Sequence, residues 1–245
     1  MNEITTTKMK QMKLYGMHNA FKTAIESGKT DHYTLDQFIA MLIDAEWDER
    51  HNRRIERSIK NARFHYKSNI ENINFDTSRN IDRNQVLRLA ACDFVEKNQN
   101  VLITGSTGVG KSFLGTPLGY QACIQGYKVS YYNTSKLFAK LKMAKADGSY
   151  LRELAKIERQ DVIILDDFGL QALDSQNRIT LLEIIEDRHN NGSIIVTSQI
   201  PVQGWYDIIG EKTIADAILD RLIHQSHRIE LQGESMRKKR GINKE

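Results

Sequence analysis

An α/β domain, a parallel sheet covered by helices on both faces and preceded by a small all-α segment, is the architecture this sequence predicts. Three observations carry the prediction. Short apolar runs at Val101–Thr104, Lys128–Tyr132, Val162–Leu165 and Ser193–Thr197 alternate with helical patterns, and continuous apolar strands are those buried on both faces. A Gly-rich loop, Gly105–Ser112, follows the first run and opens a helix. Only two prolines, Pro117 and Pro201, interrupt 245 residues, which leaves room for many helices.

The elements follow in chain order. Residues 5–28 carry one helical pattern, with Met17, Ala20, Phe21, Ala24 and Ile25 on a single face and Ser27-Gly28 as its stop. Thr34 opens a second helix, with Gln37 in the capping-box position. Leu35, Phe38, Ile39, Leu42 and Ile43 then repeat at the spacing of a buried stripe. The helix is expected to run past Trp47 into a charged stretch that ends near Lys67. There Arg50, Arg53, Arg54, Arg57, Lys60, Arg63 and Lys67 face only one acid, Glu56. At about 100° per residue the cations share half of the helix surface, with Ile55, Ile59, Ala62 and Tyr66 opposite. Two readings stand: a solvated face, or a face for DNA phosphates, where clustered cations release counterions.

Residues 68–82 lose periodicity and read as a linker. Asp82 then caps a helix containing Val86, Leu87, Leu89, Ala90, Phe94 and Val95. The expected domains are therefore 1–67, helical and DNA- or partner-binding, and 83–245, holding the sheet. Pro117 falls inside the helix after the Gly-rich loop, where a lost hydrogen bond predicts a kink or a shortened first segment.

Composition narrows the class. Apolar residues make up 40% and charged residues 27%, with net charge +4, values ordinary for a globular chain. No apolar run reaches the roughly 18 residues of a membrane helix, and the first residues, MNEITTTKMKQMK, lack a signal-peptide core. Cys92 and Cys123 supply neither a disulfide framework nor metal-ligand spacing, so a reducing cytoplasm is expected. The pair His224 and His227 has no third ligand at a suitable spacing, and no metal is assigned to it.

Chemistry enters at two strand ends. Gly105-Ser106-Thr107-Gly108-Val109-Gly110-Lys111-Ser112 matches G-x-x-x-x-G-K-[ST] in full. Glycines let backbone N–H groups wrap phosphates at a helix N-terminus. Lys111 would reach the β- and γ-phosphates of ATP and the Ser112 hydroxyl would ligate Mg²⁺; Phe113, next in the chain, is expected to border the nucleotide. Farther along, Val162–Leu165 ends in Asp166-Asp167, two carboxylates where open parallel sheets bind ligands. Asp166 suits Mg²⁺ through its water shell, and Asp167 suits positioning the attacking water. Thr197-Ser198-Gln199 ends another strand, either as a capping Ser or as a polar group beside the γ-phosphate. Arg221 fits an arginine that neutralises transition-state charge, or a structural Arg pairing with Asp216 or Asp220.

The series GSTGVGKS, VIILDDFG, VTSQ, AILDRL and GESMR, in this order, resembles the IstB-like ATPases of bacterial insertion sequences. It is also similar to their relatives, the DnaC- and DnaA-type AAA+ proteins, from about Phe75 to Lys239. The resemblance implies a P-loop (AAA+) core and roles for particular residues: Asp166 and Asp167 as the metal and water-activating pair, Ser198 as the first sensor, Arg221 as an arginine finger acting on an adjacent subunit, and Arg237 as the second sensor. It further implies ATP-dependent homo-oligomers on duplex DNA and a partner transposase of the IstA-like kind. Many AAA+ proteins carry Glu where Asp167 stands, so slow hydrolysis is expected.

Four functions compete. A transposition helper uses every motif above. A DnaC-like replicative helicase loader predicts single-strand preference, whereas the basic helix offers few aromatics besides Phe64 and Tyr66. A small-molecule kinase has no use for the basic helix or for GESMR. An inert nucleotide-binding module would lack DNA-stimulated turnover. About 70 residues of appendage and about 170 of ATPase core fill the length and leave no room for a catalytic transposase domain.

Overall fold

The computed structural model describes residues 2–28, 33–66 and 68–236. Lys67 and Arg237 lie outside the described residues, as does the basic run that follows Arg237. The chain divides into two compact units, Met1–Arg57 and Ser58–Glu245, the division falling ahead of the boundary that composition suggests at 67–68.

The first unit holds α1 (Asn2–Gln11), α2 (Tyr15–Glu26) and most of α3 (Leu35–Ala62). The single helix expected over 5–28 is in fact two, broken at Met12–Leu14, where Lys13 takes a left-handed φ of 60°. The break has a physical reason. A second helix start frees backbone N–H groups, and those of Gly16 and Met17 donate to the buried Glu46 carboxylate of α3 at 2.9 and 3.2 Å. Gly16 permits this approach, since a Cβ there would lie 2.1 Å from the Ala45 carbonyl oxygen.

The capping box at α3 forms as the sequence predicts, with Thr34 N–H donating to Gln37 Oε1 at 3.0 Å and Gln37 N–H to Thr34 Oγ1 at 3.3 Å. The buried stripe does not. Leu42 is buried and Phe38 meets Phe21, but Leu35, Ile39 and Ile43 are 74%, 46% and 54% exposed. The line that packs on α2 runs through Leu42 and Glu46, which turns the other apolar positions outward.

In the second unit, residues 68–82 form two 3-10 turns, Ile70–Asn72 and Thr77–Arg79. Ile70, Ile73, Phe75 and Ile81 pack on the core there, so the segment is not a free tether. The Asp82 side chain caps α4 (Arg83–Ala90) by accepting from Asn84 N–H at 2.8 Å, and α5 (Asp93–Glu96) follows.

Five strands build one parallel sheet: β1 (Asn100–Gly105), β2 (Val129–Asn133), β3 (Val162–Phe168), β4 (Ser193–Ser198) and β5 (Ser226–Leu231), in the order β2-β3-β4-β1-β5. Side chains alternate between faces. Val101, Ile103, Val162, Ile164 and Ile195 meet Leu114 and Leu118 of α6 (Ser112–Ile124) on one face. Leu102, Ile163, Leu165, Ile194 and Val196 pack on the other, against α7 (Thr134–Ala146), α8 (Tyr150–Glu158), α9 (Ser175–Arg188), α10 (Trp205–Ile209) and α11 (Lys212–Ile223). Pro117 does not shorten α6, which runs unbroken from Ser112 to Ile124 with the proline buried in it. Leu114 to Gly119 are buried without a break, and this packing offsets one missing hydrogen bond. No helix among the described residues is long and apolar enough to cross a membrane.

Candidate nucleotide site

The loop after β1 turns on glycines. Gly108 and Gly110 take φ of +84° and +96°, conformations that side chains rarely adopt. A Cβ on Gly110 would also meet Arg79 Nη2 at 2.8 Å. Arg79, nearly buried, braces the loop from behind: its Nη2 donates to Val109 O at 2.7 Å and its Nη1 to Asn74 O at 2.6 Å. Burial lowers the pKa of its guanidinium. From the C-terminal side, Met236 N–H donates to Gly108 O at 2.9 Å. Lys111 folds back so that Nζ donates to Ser106 O at 2.9 Å.

Across from the loop, strand alternation puts Asp166 on the face that carries α6. Its Oδ1 accepts from Ser112 Oγ at 2.8 Å and from Thr197 Oγ1, and its Oδ2 from the Tyr131 hydroxyl. Burial, followed by the hydrogen bond to Asp166, pushes the Tyr131 phenol well above its ordinary pKa, so it stays a donor. The Asp166 backbone carbonyl is held by Thr134 Oγ1 at 2.8 Å.

Asp167 sits on a bulge. Register runs Leu165↔Val196 and then Phe168↔Ser198, so two residues of β3 oppose Thr197 alone. Asp167 has φ +58°, a left-handed backbone that costs about 1–3 kcal/mol for a residue with a side chain. Its N–H donates to Thr197 Oγ1 at 3.2 Å, and its Oδ2 accepts from Asn133 Nδ2 at 3.2 Å. Asn133 also caps α7, accepting from Lys136 N–H at 3.3 Å, which ties the second carboxylate to the start of that helix.

A cavity of about 230 Å³ opens between these parts, lined by the loop, Phe113, Asp167, Leu170, Gln199, Met236 and Tyr66. The Tyr66 ring lies 5.1 Å from that of Phe113, and Gln199 Oε1 accepts from Thr107 Oγ1 at 2.5 Å. The Ser112 hydroxyl and Asp166 form an all-oxygen donor set, the chemistry that suits a hydrated Mg²⁺.

Two residues expected at this site stand apart from it. Ser198 is fully buried, donating to Phe168 O at 2.7 Å and accepting from Ile200 N–H at 3.1 Å. One residue along a strand reverses the face, so Thr197 is the hydroxyl that touches the acids. Arg221 lies at the other end of the sheet, bordering a cavity of about 340 Å³ beside Asn100, the first residue of β1. Its Nη1 donates to Ala217 O at 2.8 Å and its Nη2 lies 3.4 Å from Glu186 Oε1, not against Asp216 or Asp220. Asn100 Nδ2 donates to the carbonyls of Arg221 and Leu222 at 3.2 Å each. Arg237 falls outside the described residues.

Of the expected DNA-facing cations, Arg50 pairs with Glu46 at 2.7 Å and Arg53 with Glu49 at 2.9 Å. Arg54, Arg57, Lys60 and Arg63 are exposed. Tyr131, Asn133 and Arg79 were not legible as site residues from motifs, and Thr197 and Gln199 stood out only as the neighbours of Ser198. Counting strand parity from Ile195 and Val129 would have put Thr197 and Tyr131 on the face of Asp166.

The phosphate loop, the acid pair and the strand order together define a P-loop nucleotide-binding protein of the AAA+ kind. Solved folds agree: DnaI superposes with a TM-score of 0.59 at 23% identity, over 68% of this chain and 92% of that one. DnaA from Aquifex aeolicus gives 0.60 at 19%, over 72% and 54%. The family model for IstB-like ATP binding proteins matches residues 7–243, and this chain belongs to that family. An insertion sequence ATP-binding protein of Sinorhizobium fredii is 39% identical over 96% of each chain. The corresponding protein of insertion sequence IS21 in Pseudomonas aeruginosa is 31% identical, over 94% of this chain and 87% of that one.

Proposed function

We propose that this chain is a Mg²⁺-dependent ATPase that assists DNA transposition, assembling as a homo-oligomer on duplex DNA and recruiting a partner transposase. The placement of Arg221 carries the reading. Strands of six residues separate it from the phosphate loop of its own chain, about 20 Å at 3.3 Å per residue. An arginine finger so placed can act only on a neighbour's nucleotide, so hydrolysis would require assembly.

Within one site, Lys111 and the loop N–H groups would hold the phosphates, and Ser112 with Asp166 would hold Mg²⁺. The ion supplies charge neutralisation at the phosphoryl oxygens. Asp167, poised on its bulge and steadied by Asn133 and Thr197, would orient the attacking water. Among the expected cations, Arg54 and Arg57 are exposed and suited to DNA phosphates. Membership of an insertion-sequence family favours this reading over the helicase loader, whose solved relatives share only the fold.

The test is Asp167→Asn. It should bind ATP, hydrolyse it at least about 10²-fold more slowly, and leave DNA complexes that persist after ATP is added. Turnover at the wild-type rate would remove Asp167 from the chemistry and ATP-controlled release from the proposal.

A further inference from the structure

We infer that Tyr131 is a positioning residue for ATP hydrolysis, its hydroxyl fixing the carboxylate of Asp166 for Mg²⁺; the inference rests on the proposed reading of this site. Three hydroxyls converge on the Asp166 carboxylate. Ser112 and Thr197 both donate to Oδ1, and Tyr131 alone of the three donates to Oδ2. A carboxylate held at one oxygen can still pivot about it; a donor on the second oxygen fixes the plane of the group. The three differ in what metal binding asks of them. Ser112 is the group whose oxygen would take a place at the ion, whereas Thr197 and Tyr131 keep Asp166 as their partner throughout.

The Tyr131 ring is well placed for this. It stands opposite Ile164 in the β2–β3 register, two residues before Asp166 on the same face of the sheet. It packs against the core beneath α6, so its hydroxyl is delivered from a rigid strand. Its neighbour Tyr132 points to the opposite face and packs in the other core layer, which supplies an internal control.

Tyr131→Phe removes the hydroxyl and keeps the ring. Affinity for a fluorescent ATP analogue, measured in EDTA and again in Mg²⁺, separates metal positioning from nucleotide binding without reference to turnover. The Phe variant should melt as the wild type does and bind the analogue equally in EDTA. Its Mg²⁺-dependent tightening should shrink at least about fivefold, the scale of a hydrogen bond to a charged group, and ATPase half-saturation in Mg²⁺ should rise accordingly. Tyr132→Phe should tighten as the wild type does. Wild-type tightening in the Tyr131→Phe protein would overturn the inference while leaving the site reading intact. A wild-type protein whose affinity ignores Mg²⁺ would instead overturn the reading of Asp166, and Tyr131 with it.

Discussion

Thr197 and Ser198 differ by one position and by everything that position decides. Thr197 faces α6, donates to the Asp166 carboxylate and accepts from the Asp167 backbone N–H, while Ser198 turns to the opposite face and satisfies backbone groups of Phe168 and Ile200. Thr197→Val, nearly the same shape without the hydroxyl, should therefore lower ATP turnover by about tenfold or more, the scale of a lost hydrogen bond to a charged group. Ser198→Ala should lower the melting temperature and leave turnover per folded molecule near wild type. The reverse pattern in steady-state rates would return the role to Ser198. Motif spacing points to this strand end and to Ser198 within it, without choosing between neighbours on physical grounds. The choice follows from alternation along β4, where Thr197 shares the face of Ile195; the bulge decides the placement of Asp167, and a bulge leaves no signature in a run of two aspartates.

At the scale of elements, the central strands were legible because burial on both faces demands unbroken apolar runs. Edge strand β5 was not. Its sequence SHRIEL buries only Ile229 and Leu231, too short an alternation to separate from a loop. The expected helix over 5–28 failed for a different reason: its break is made by Glu46, thirty residues away from Gly16, and no local pattern encodes that partner. The α7–α8 pair offers an electrostatic test of an element contact. Lys140 of α7 and Lys156 of α8 bond the nearly buried Glu153 at 2.5 and 2.6 Å. Lys140 first, and then Lys156, hold its carboxyl down at about 2 from an ordinary 4.5. A depressed carboxylate adds stability that is complete above its unfolded value and is lost as pH falls toward the folded one. Glu153→Gln should thus melt below the wild type at pH 7, with the gap closing between about pH 4.5 and pH 2. A gap that is constant with pH across thermal melts would mean the pairing contributes nothing to folding.

For the whole molecule, the parallel sheet separates two halves of one proposed machine. Its C-terminal strand ends carry Lys111, Ser112, Asp166 and Asp167; its N-terminal ends carry Arg221, held through Asn100 and Glu186. Fold class and phosphate loop could be read from the sequence, because both are written in local runs. The separation could not, since it depends on which end of the sheet α11 reaches. It leads to complementation between two inactive proteins. Lys111→Ala should fail to bind ATP, and Arg221→Ala should bind ATP but hydrolyse it about 10³-fold more slowly than the wild type. Mixed in the presence of duplex DNA, they should recover ATP turnover, because Arg221 of the first completes the site of the second. A mixture as inactive as its parts, or wild-type hydrolysis by Arg221→Ala alone, would contradict an arginine acting between subunits.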